Sequence, residues 1–525
     1  MNEADLEFEV ERLALQQLLD GQLDAASRNR KGQFATPTGL AVDIQRYAKK
    51  CLGERGKVRF IDPALGTGSF YSALLNVFPR TSISAAVGYE IDPHYGNPAK
   101  KLWGKTGLDV YLEDFTQAEV PLPDERFNLL ICNPPYVRHH HMTGDEKQRL
   151  KARTWDACEV DISGLAGLYC YFLVLGHLWM ADNGLAAWLI PSEFMDVNYG
   201  ASVKRYLLDK VTLLHIHRFD PNDVQFGDAL VSSAVVWFRN TPPQRTGRVR
   251  FTFGGTLERP KRERLVSADT LRHEPKWTRY PMKEAHQAAT GPVLGDFFRI
   301  KRGLVTGSNK YFILSEREIE NRGLPIAAFR PILPSPRNVP IDEISCDSFG
   351  NPLLEQRLFL LDPPWTEKEI RDEYPSLWSY LEEGKAEGIA DRYVCRHRAM
   401  WYAQERRPPA PFVCTYLGRS DKKNGRPFRF ILNDSKATAA NVYLMLYPKA
   451  PFESALSDSP ELKRQVWECL NQICPQVMLN EGRVYGGGLH KLEPKELGNV
   501  SAKALVGLFP ELRRRCSWKQ GELFQ

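Results

Sequence analysis

Six residues, Phe127-Asn128-Leu129-Leu130-Ile131-Cys132, form an almost unbroken apolar run that stops at Asn133-Pro134-Pro135-Tyr136. A short apolar run bounded by turn residues is the pattern of a strand covered on both faces. Consecutive prolines cannot extend a hydrogen-bonded ladder, so the tetrapeptide lies in the turn beyond the strand. In an open α/β sheet that turn borders the crevice in which ligands bind. As a bare string the same four residues also make an ordinary turn, and their surroundings decide between the two.

The surroundings alternate. Strands are expected at 58–61, 84–89, 109–112, 127–132, 185–190, 213–217 and 231–238, with helices at 70–77 and 169–180. Asp182-Asn183-Gly184 predicts a turn into the fifth strand. This order predicts an α/β fold, doubly wound and Rossmann-like, around a seven-stranded, mostly parallel sheet. Residues 1–240 are assigned to that domain. The stretch 241–293 reads as a linker or the start of a second domain, and 294–525 as a C-terminal α+β domain rich in Pro, Trp and Tyr.

A chain of 525 residues is long enough for roughly two or three domains. No apolar stretch reaches eighteen residues, and the start, Met1-Asn2-Glu3-Ala4-Asp5, is acidic. Neither a membrane span nor a secretory signal is readable, so a cytoplasmic location is expected. The ten cysteines include no Cys-x-x-Cys pair, which speaks against a zinc site or a disulfide framework. Lys and Arg less Asp and Glu come to −5 over 1–240 and +11 over 241–525. That division suggests that one part handles chemistry and the other a polyanion.

Ile61-Asp62-Pro63-Ala64-Leu65-Gly66-Thr67-Gly68-Ser69-Phe70 joins the first strand to a helix. Gly66 and Gly68 allow the backbone close to a ligand. The G-x-G-x-x-G spacing is incomplete and no Lys-Ser or Lys-Thr follows, which disfavours dinucleotides and triphosphates. The leading carboxylate, Asp62, suits instead a ligand carrying an ammonium or sulfonium charge. Glu90 ends the second strand, 22 residues after Gly68, where an acid accepts hydrogen bonds from ribose hydroxyls. Ile91 is placed to cover one face of a purine, and Asp114, in Glu113-Asp114-Phe115, to accept from a purine amino group. In the fourth turn Asn133 offers a neutral carbonyl, Pro134 and Pro135 leave no competing N–H, and Tyr136 adds a flat ring. These parts suit an exocyclic amine attacking an electrophilic methyl group.

Taken in order, the motifs resemble those of S-adenosylmethionine-dependent N6-adenine DNA methyltransferases of the gamma, TaqI-like class found in restriction–modification systems. The resemblance begins at Gly32-Gln33-Phe34-Ala35-Thr36-Pro37. It runs through the 62–68 turn, Glu90, Asp114-Phe115, Asn133-Pro134-Pro135-Tyr136, Asn183-Gly184 and Ile190-Pro191-Ser192 to Phe226-x-x-x-x-Val231-Ser232. It implies S-adenosyl-L-methionine as cofactor, held by Thr36, Asp62, Pro63, Ala64, Gly66, Gly68, Glu90, Ile91, Asp114, Phe115 and Asn133. It also implies double-stranded DNA as partner, with the target adenine turned out of the duplex. Asn133, Pro134, Pro135 and Tyr136 would be catalytic, and Phe34, Tyr136 and Phe226 would border the base. Segments 301–310 and 485–492 more loosely resemble those flanking the family's target recognition domain.

Other features read as structural or peripheral. His139-His140-His141 has no acidic or cysteine partner at metal-ligand spacing, so no metal is expected. His215 and His217 share a strand face. Residues 259–264 and 421–426 are cationic surface or phosphate contacts. Arg392, Arg396 and Arg398, interleaved with Tyr393, Trp401 and Tyr402, have the composition of a groove contact. Asn-Pro-Pro-Tyr also serves enzymes that methylate a glutamine amide in proteins, but such compact enzymes leave the 285 residues after position 240 unexplained. An RNA adenine is the other alternative substrate. No nuclease pattern of spaced acids and a lysine is readable, so any restriction endonuclease acting on the same site is expected on a separate polypeptide.

Overall fold

Leu129 and Ile131 enter one apolar core, Leu130 and Cys132 another, and all four are fully buried. That alternation is what a strand inside a sheet covered on both faces requires. The computed structural model describes residues 3–53, 56–220, 232–244, 247–281, 291–419, 426–450, 452–485 and 489–508. Two compact units divide after residue 285.

The first unit opens with helices α1 (Glu3–Gly21), α2 (Ala25–Lys31) and α3 (Thr38–Leu52). Then β1 (Val58–Asp62), α4 (Ser69–Val77), β2 (Ile83–Tyr89), α5 (Pro93–Trp103), β3 (Asp109–Tyr111) and β4 (Phe127–Cys132) follow the expected alternation. After α6 (Gly144–Cys158) and α7 (Leu168–Leu175) come β5 (Met180–Pro191), α8 (Ala201–Asp209), β6 (Thr212–Arg218), β7 (Ser233–Arg239), β8 (Arg248–Gly255) and β9 (Pro260–Ser267). The spatial order is β3-β2-β1-β4-β5-β7-β6-β8-β9, with β7 antiparallel to both neighbours.

Four expectations need correction. The sheet has nine strands, since β8 runs parallel to β6 and β9 antiparallel to β8. Residues 248–267 therefore belong to the first sheet, with Val249, Phe251 and Val266 buried in its core, rather than to a linker or second domain. Lys261, Arg262, Glu263 and Arg264 hid β9 in the sequence, because an edge strand carries charge where an inner one cannot. Asp182-Asn183-Gly184 makes no break: β5 runs through it, with Asn183 at φ 59°. Phe127 faces Met180 but Leu129 faces Leu185, so the extra residues form a bulge whose left-handed backbone Asn tolerates. The helix expected to reach residue 180 ends at Leu175, and a 3₁₀ turn, Gly176–Trp179, completes it.

The second unit is α+β. Its larger sheet orders strands Phe298–Arg302, Tyr443–Pro448, Phe412–Thr415, Phe430–Asn433 and Glu343–Ile344, and helices Pro375–Ala386 and Pro460–Asn471 are its longest. Among the described residues, no helix is long and apolar enough to cross a membrane.

Leu130→Ala empties a fully buried site one turn below Asn133. It is expected to lower the unfolding free energy by about 2–5 kcal/mol. A urea titration reads this as a lower midpoint at constant slope, and a loss under about 1 kcal/mol would mean that β4 is not packed as described.

Candidate active site

Strand order reverses at β1, which has β2 on one side and β4 on the other, all parallel. At such a switch point the following turns diverge and leave a crevice at the carboxyl ends. Asp62, Glu90 and Asn133 end or follow these three strands.

Asp62 is 1% exposed, and its Oδ1 accepts from the Ala64 amide at 3.1 Å. Burial pushes its carboxyl up to about 8 against the pull of the Ala64 amide, and the Glu90 charge adds to the rise. Gly66 and Gly68 take φ 56° and 89°. A Cβ on Gly68 would stand 2.4 Å from Trp103 Nε1, and the Trp103 indole donates to Thr67 O at 2.9 Å. Only glycine lets this turn close against α5. Glu90 joins two turns, accepting from the Gly66 amide at 2.9 Å and the Asp92 amide at 2.8 Å. A carboxylate has about four acceptor positions, so two remain. Ile91 beside it is exposed, Pro63 is buried and Ala64 half-buried.

The third turn departs from expectation. Asp114 Oδ1 accepts from the Thr116 amide and hydroxyl at 2.9 and 2.8 Å, while Oδ2 accepts from Gln117 Nε2 at 2.7 Å and pairs with Arg149 at 3.6 Å. Phe115 is locked among Tyr89, Phe172 and Trp179. Neither presents the free surface expected of it, because local donors turn Asp114 inward.

Asn133 Nδ2 donates to Phe34 O at 2.9 Å and Thr36 Oγ1 at 3.1 Å. A carbonyl only accepts, so the partners settle which way the amide points. Its Oδ1 is buried without a partner, a situation that costs about 1–3 kcal/mol. Tyr136 is buried, donates to Leu189 O at 3.1 Å, and packs between Phe34 and Tyr169 with ring centroids 5.6 and 6.5 Å away. It walls the turn rather than offering the open face expected. Phe226 and Val231 lie outside the described residues.

Sequence reasoning missed how tightly the preceding segment docks. Gly32 ends α2 at φ 65°, its carbonyl accepts from the Tyr136 amide at 3.0 Å, and a Cβ there would lie 2.3 Å from Tyr136 N. Glycine directly after Arg30-Lys31 is a helix C-cap signal that could have shown this. Lys31 and Gln33 both donate to Asp92 Oδ2, at 2.9 and 2.8 Å. Elsewhere, His139–His141 forms a short turn, and no group of three metal-ligating side chains occurs among the described residues. His215 Nε2 and His217 Nδ1 meet Thr252 Oγ1 at 2.6 and 2.8 Å inside the sheet.

In the second unit, Arg398 Nη2 donates to Val305 O at 2.8 Å and Arg392 Nη1 to Gly307 O at 3.0 Å, tying segment 392–398 to segment 305–307. Tyr402 is buried, and Trp401 packs near Tyr311 and Phe312, so these two rings are core rather than groove contacts. Tyr393 is 74% exposed, and Arg392, Arg396 and Lys310 are exposed with no ion pair among the described residues. Of segment 421–426, only Arg426 is described.

Sheet order and switch-point turns are those of a doubly wound α/β fold. A family model for the Type II methyltransferase M.Eco57I, C-terminal domain, matches residues 276–514, and one for the Eco57I restriction-modification methylase matches residues 99–225. The Type II methyltransferase M.XamI of Xanthomonas campestris pv. amaranthicola is 29% identical over 486 residues, covering 91% of this chain and 86% of that protein. M.AccI of Acinetobacter calcoaceticus is 27% identical over 495 residues, covering 90% and 85%. The solved Type IIL restriction-modification enzyme MmeI in complex with DNA shares the fold, with a TM-score of 0.54 at 13% identity over 86% of this chain and 67% of that one. Over most of its length the chain is thus similar to Type II restriction–modification DNA methyltransferases.

Gly32→Ala adds a methyl against the Tyr136 amide and forces alanine into a left-handed backbone. It is expected to undock the 32–36 segment, raising hydrogen exchange at the Tyr136 amide and lowering stability by about 1–3 kcal/mol. Unchanged protection of that amide would show that the contact is not what holds the segment.

Proposed function

We propose that this chain transfers a methyl group from S-adenosyl-L-methionine to the N6 amino group of an adenine turned out of duplex DNA, as a gamma-class modification enzyme. One observation carries the reading: Asn133 Oδ1 is a buried acceptor without a partner, in an amide held by Phe34 and Thr36. An exocyclic amine brings the hydrogens such an acceptor lacks. Asn133 Oδ1 and the Pro134 carbonyl take the two amino hydrogens, drawing the nitrogen toward tetrahedral geometry and freeing its lone pair. Because that nitrogen becomes positive before it loses a proton, neutral acceptors favour the transition state. Pro135 stiffens the corner, and Phe34 and Tyr136 border the base.

The crevice fits the cofactor. Gly66 and Gly68 remove side chains from the approach, Asp62 offers a carboxyl to a cation, Glu90 keeps two acceptor positions, and Ile91 is exposed beside it. When bound, S-adenosylmethionine supplies an electrophilic sulfonium methyl. Asp62 would hold its ammonium, Glu90 its ribose hydroxyls, Ile91 one face of its adenine and Thr36 its carboxylate, with Pro63 and Ala64 shaping the turn. Asp114 reaches the adenine amino group only by releasing Gln117 or Arg149, and Phe115 backs that wall from the core. Duplex DNA is assigned to the second unit's exposed Lys310, Arg392, Tyr393 and Arg396. A restriction endonuclease sharing the site would be a separate chain.

Asn133→Ala is expected to lower radiolabelled methyl transfer to duplex DNA by at least about a thousandfold with cofactor binding mostly retained. Transfer surviving that change, or label appearing on RNA or protein in place of DNA, would overturn the reading. Lys310→Ala and Arg396→Ala should each weaken DNA binding uniformly across sequences and reduce the salt slope by about one.

Asp62 has a folded value raised from 3.8 to about 8, so it holds its proton at neutral pH. Stability linked to it is complete below the ordinary value and falls as pH rises toward 8. A cation beside it favours the carboxylate, so cofactor binding at pH 7 should expel about one proton. Calorimetry in buffers of different ionisation heat measures this, and the release should vanish in Asp62→Asn. Binding by the unaltered chain without proton release would remove Asp62 from the site.

A further inference from the structure

Helix α1 lies against the turn after β1, and its buried face carries an ion pair. Glu9 and Arg12 are 8% and 1% exposed, joined Nε to Oε2 and Nη2 to Oε1, each at 2.7 Å. A buried pair gains little stability by itself, so where its remaining donors and acceptors go is informative. Arg12 Nη1 donates to Ser69 Oγ at 3.0 Å and Thr67 Oγ1 at 3.3 Å, and Nη2 donates to Thr38 Oγ1 at 3.2 Å. Glu9 accepts from the Ser72 and Thr38 hydroxyls. Burial pushes the Glu9 carboxyl up, but Arg12, Ser72 and Thr38 together hold it below its ordinary value, so the pair stays ionised. One turn along the helix, Gln16 Oε1 accepts from Thr67 Oγ1 at 2.6 Å. The helix then reaches the turn after β2, where Leu19 O meets His94 Nε2 at 3.0 Å and Asp20 accepts from the Tyr95 hydroxyl at 2.8 Å.

Thr67 stands between Gly66 and Gly68, the two residues whose ordering costs the most backbone entropy. Bonds that grip Thr67 and Ser69 act where that cost is greatest. We propose that Glu9 and Arg12 are a positioning pair for cofactor binding, holding the 66–68 turn in its ligand-ready conformation. The pair lies on a helix outside both family-model matches and outside every motif legible in the sequence. Arg12 is too buried to touch a ligand and acts through the turn alone. The inference rests on reading that turn as the S-adenosylmethionine site.

Arg12→Met, Arg12→Lys and Ser69→Ala are compared with the unaltered full-length chain by calorimetry with S-adenosylmethionine, steady-state DNA methylation and thermal denaturation. Arg12→Met is expected to raise the cofactor Kd and KM at least about tenfold, with kcat at saturating cofactor changed less than about threefold. Arg12→Lys should recover part of this loss, since one ammonium reaches Glu9 or Ser69 but not every partner. Ser69→Ala keeps the ion pair and removes the shorter of its two bonds to the turn, so a rise of about threefold in cofactor KM is expected, and this variant decides the matter where Arg12→Met does not fold. A lower melting temperature with an unchanged cofactor Kd in folded variants would reduce the pair to a fold-stabilising role and end the proposal. Absence of binding by the unaltered chain would instead overturn the reading of the turn, and the proposal with it.

Discussion

The Asn133 amide can face only one way, and the geometry of the crevice follows from that constraint. Its nitrogen meets two acceptors, a backbone carbonyl and a hydroxyl oxygen, both supplied by the segment that follows α2. That segment is in turn held by a glycine whose carbonyl binds the Tyr136 amide at a distance no side chain would permit. The turn beyond β4 thus supports an element nearly a hundred residues earlier in the chain, and that element sets the orientation of the turn's own functional side chain. An unpaired Oδ1 is the residue of this arrangement, a local cost retained where every other polar group of the amide is satisfied.

Strands β1 and β4 were legible because each is a short, mostly apolar run ending in turn residues, and strands covered on both faces have little freedom to look otherwise. β9 was not, since four charged residues in a row obscure an edge strand's one inward face. Asn183 misled in the opposite direction: Asp-Asn-Gly reads as a turn, and the structure uses its left-handed backbone for a bulge inside a continuous strand. At the site, residue type was more legible than availability. Asp114 and Phe115 stand at the strand end where the spacing put them, yet their neighbours Thr116 and Gln117 turn the acid back on its own loop. Nothing in α1 marks Glu9 and Arg12, because a buried charge pair three residues apart looks in sequence like any solvated helix face.

Burial determines what the acids of the crevice can do. Asp62 is buried, and its carboxyl sits well above the ordinary range with Glu90 close enough to push it further. Glu90 is raised by its own burial, and the amides of Asp92 and Gly66 offset this only partly. A cation favours the ionised form of both acids, whereas an anion beside them favours the neutral one. That preference agrees with the missing Lys-Ser/Thr after the glycine turn, and it distinguishes this βα corner from those that cradle phosphates.

The basic half of the chain works by a different economy of charge. Arg398 uses its guanidinium on the carbonyls of Val305 and Thr306 and lies over Phe312, and Arg407 pairs with Glu405. These cations build a scaffold and add little to any field outside it. Lys310, Arg392 and Arg396 are among the exposed cations, and they lie on two segments that backbone-directed hydrogen bonds keep together. Cations of this kind position a polyanion but do not read it. Discrimination among sequences must come from groups with fixed direction, which long exposed cations lack.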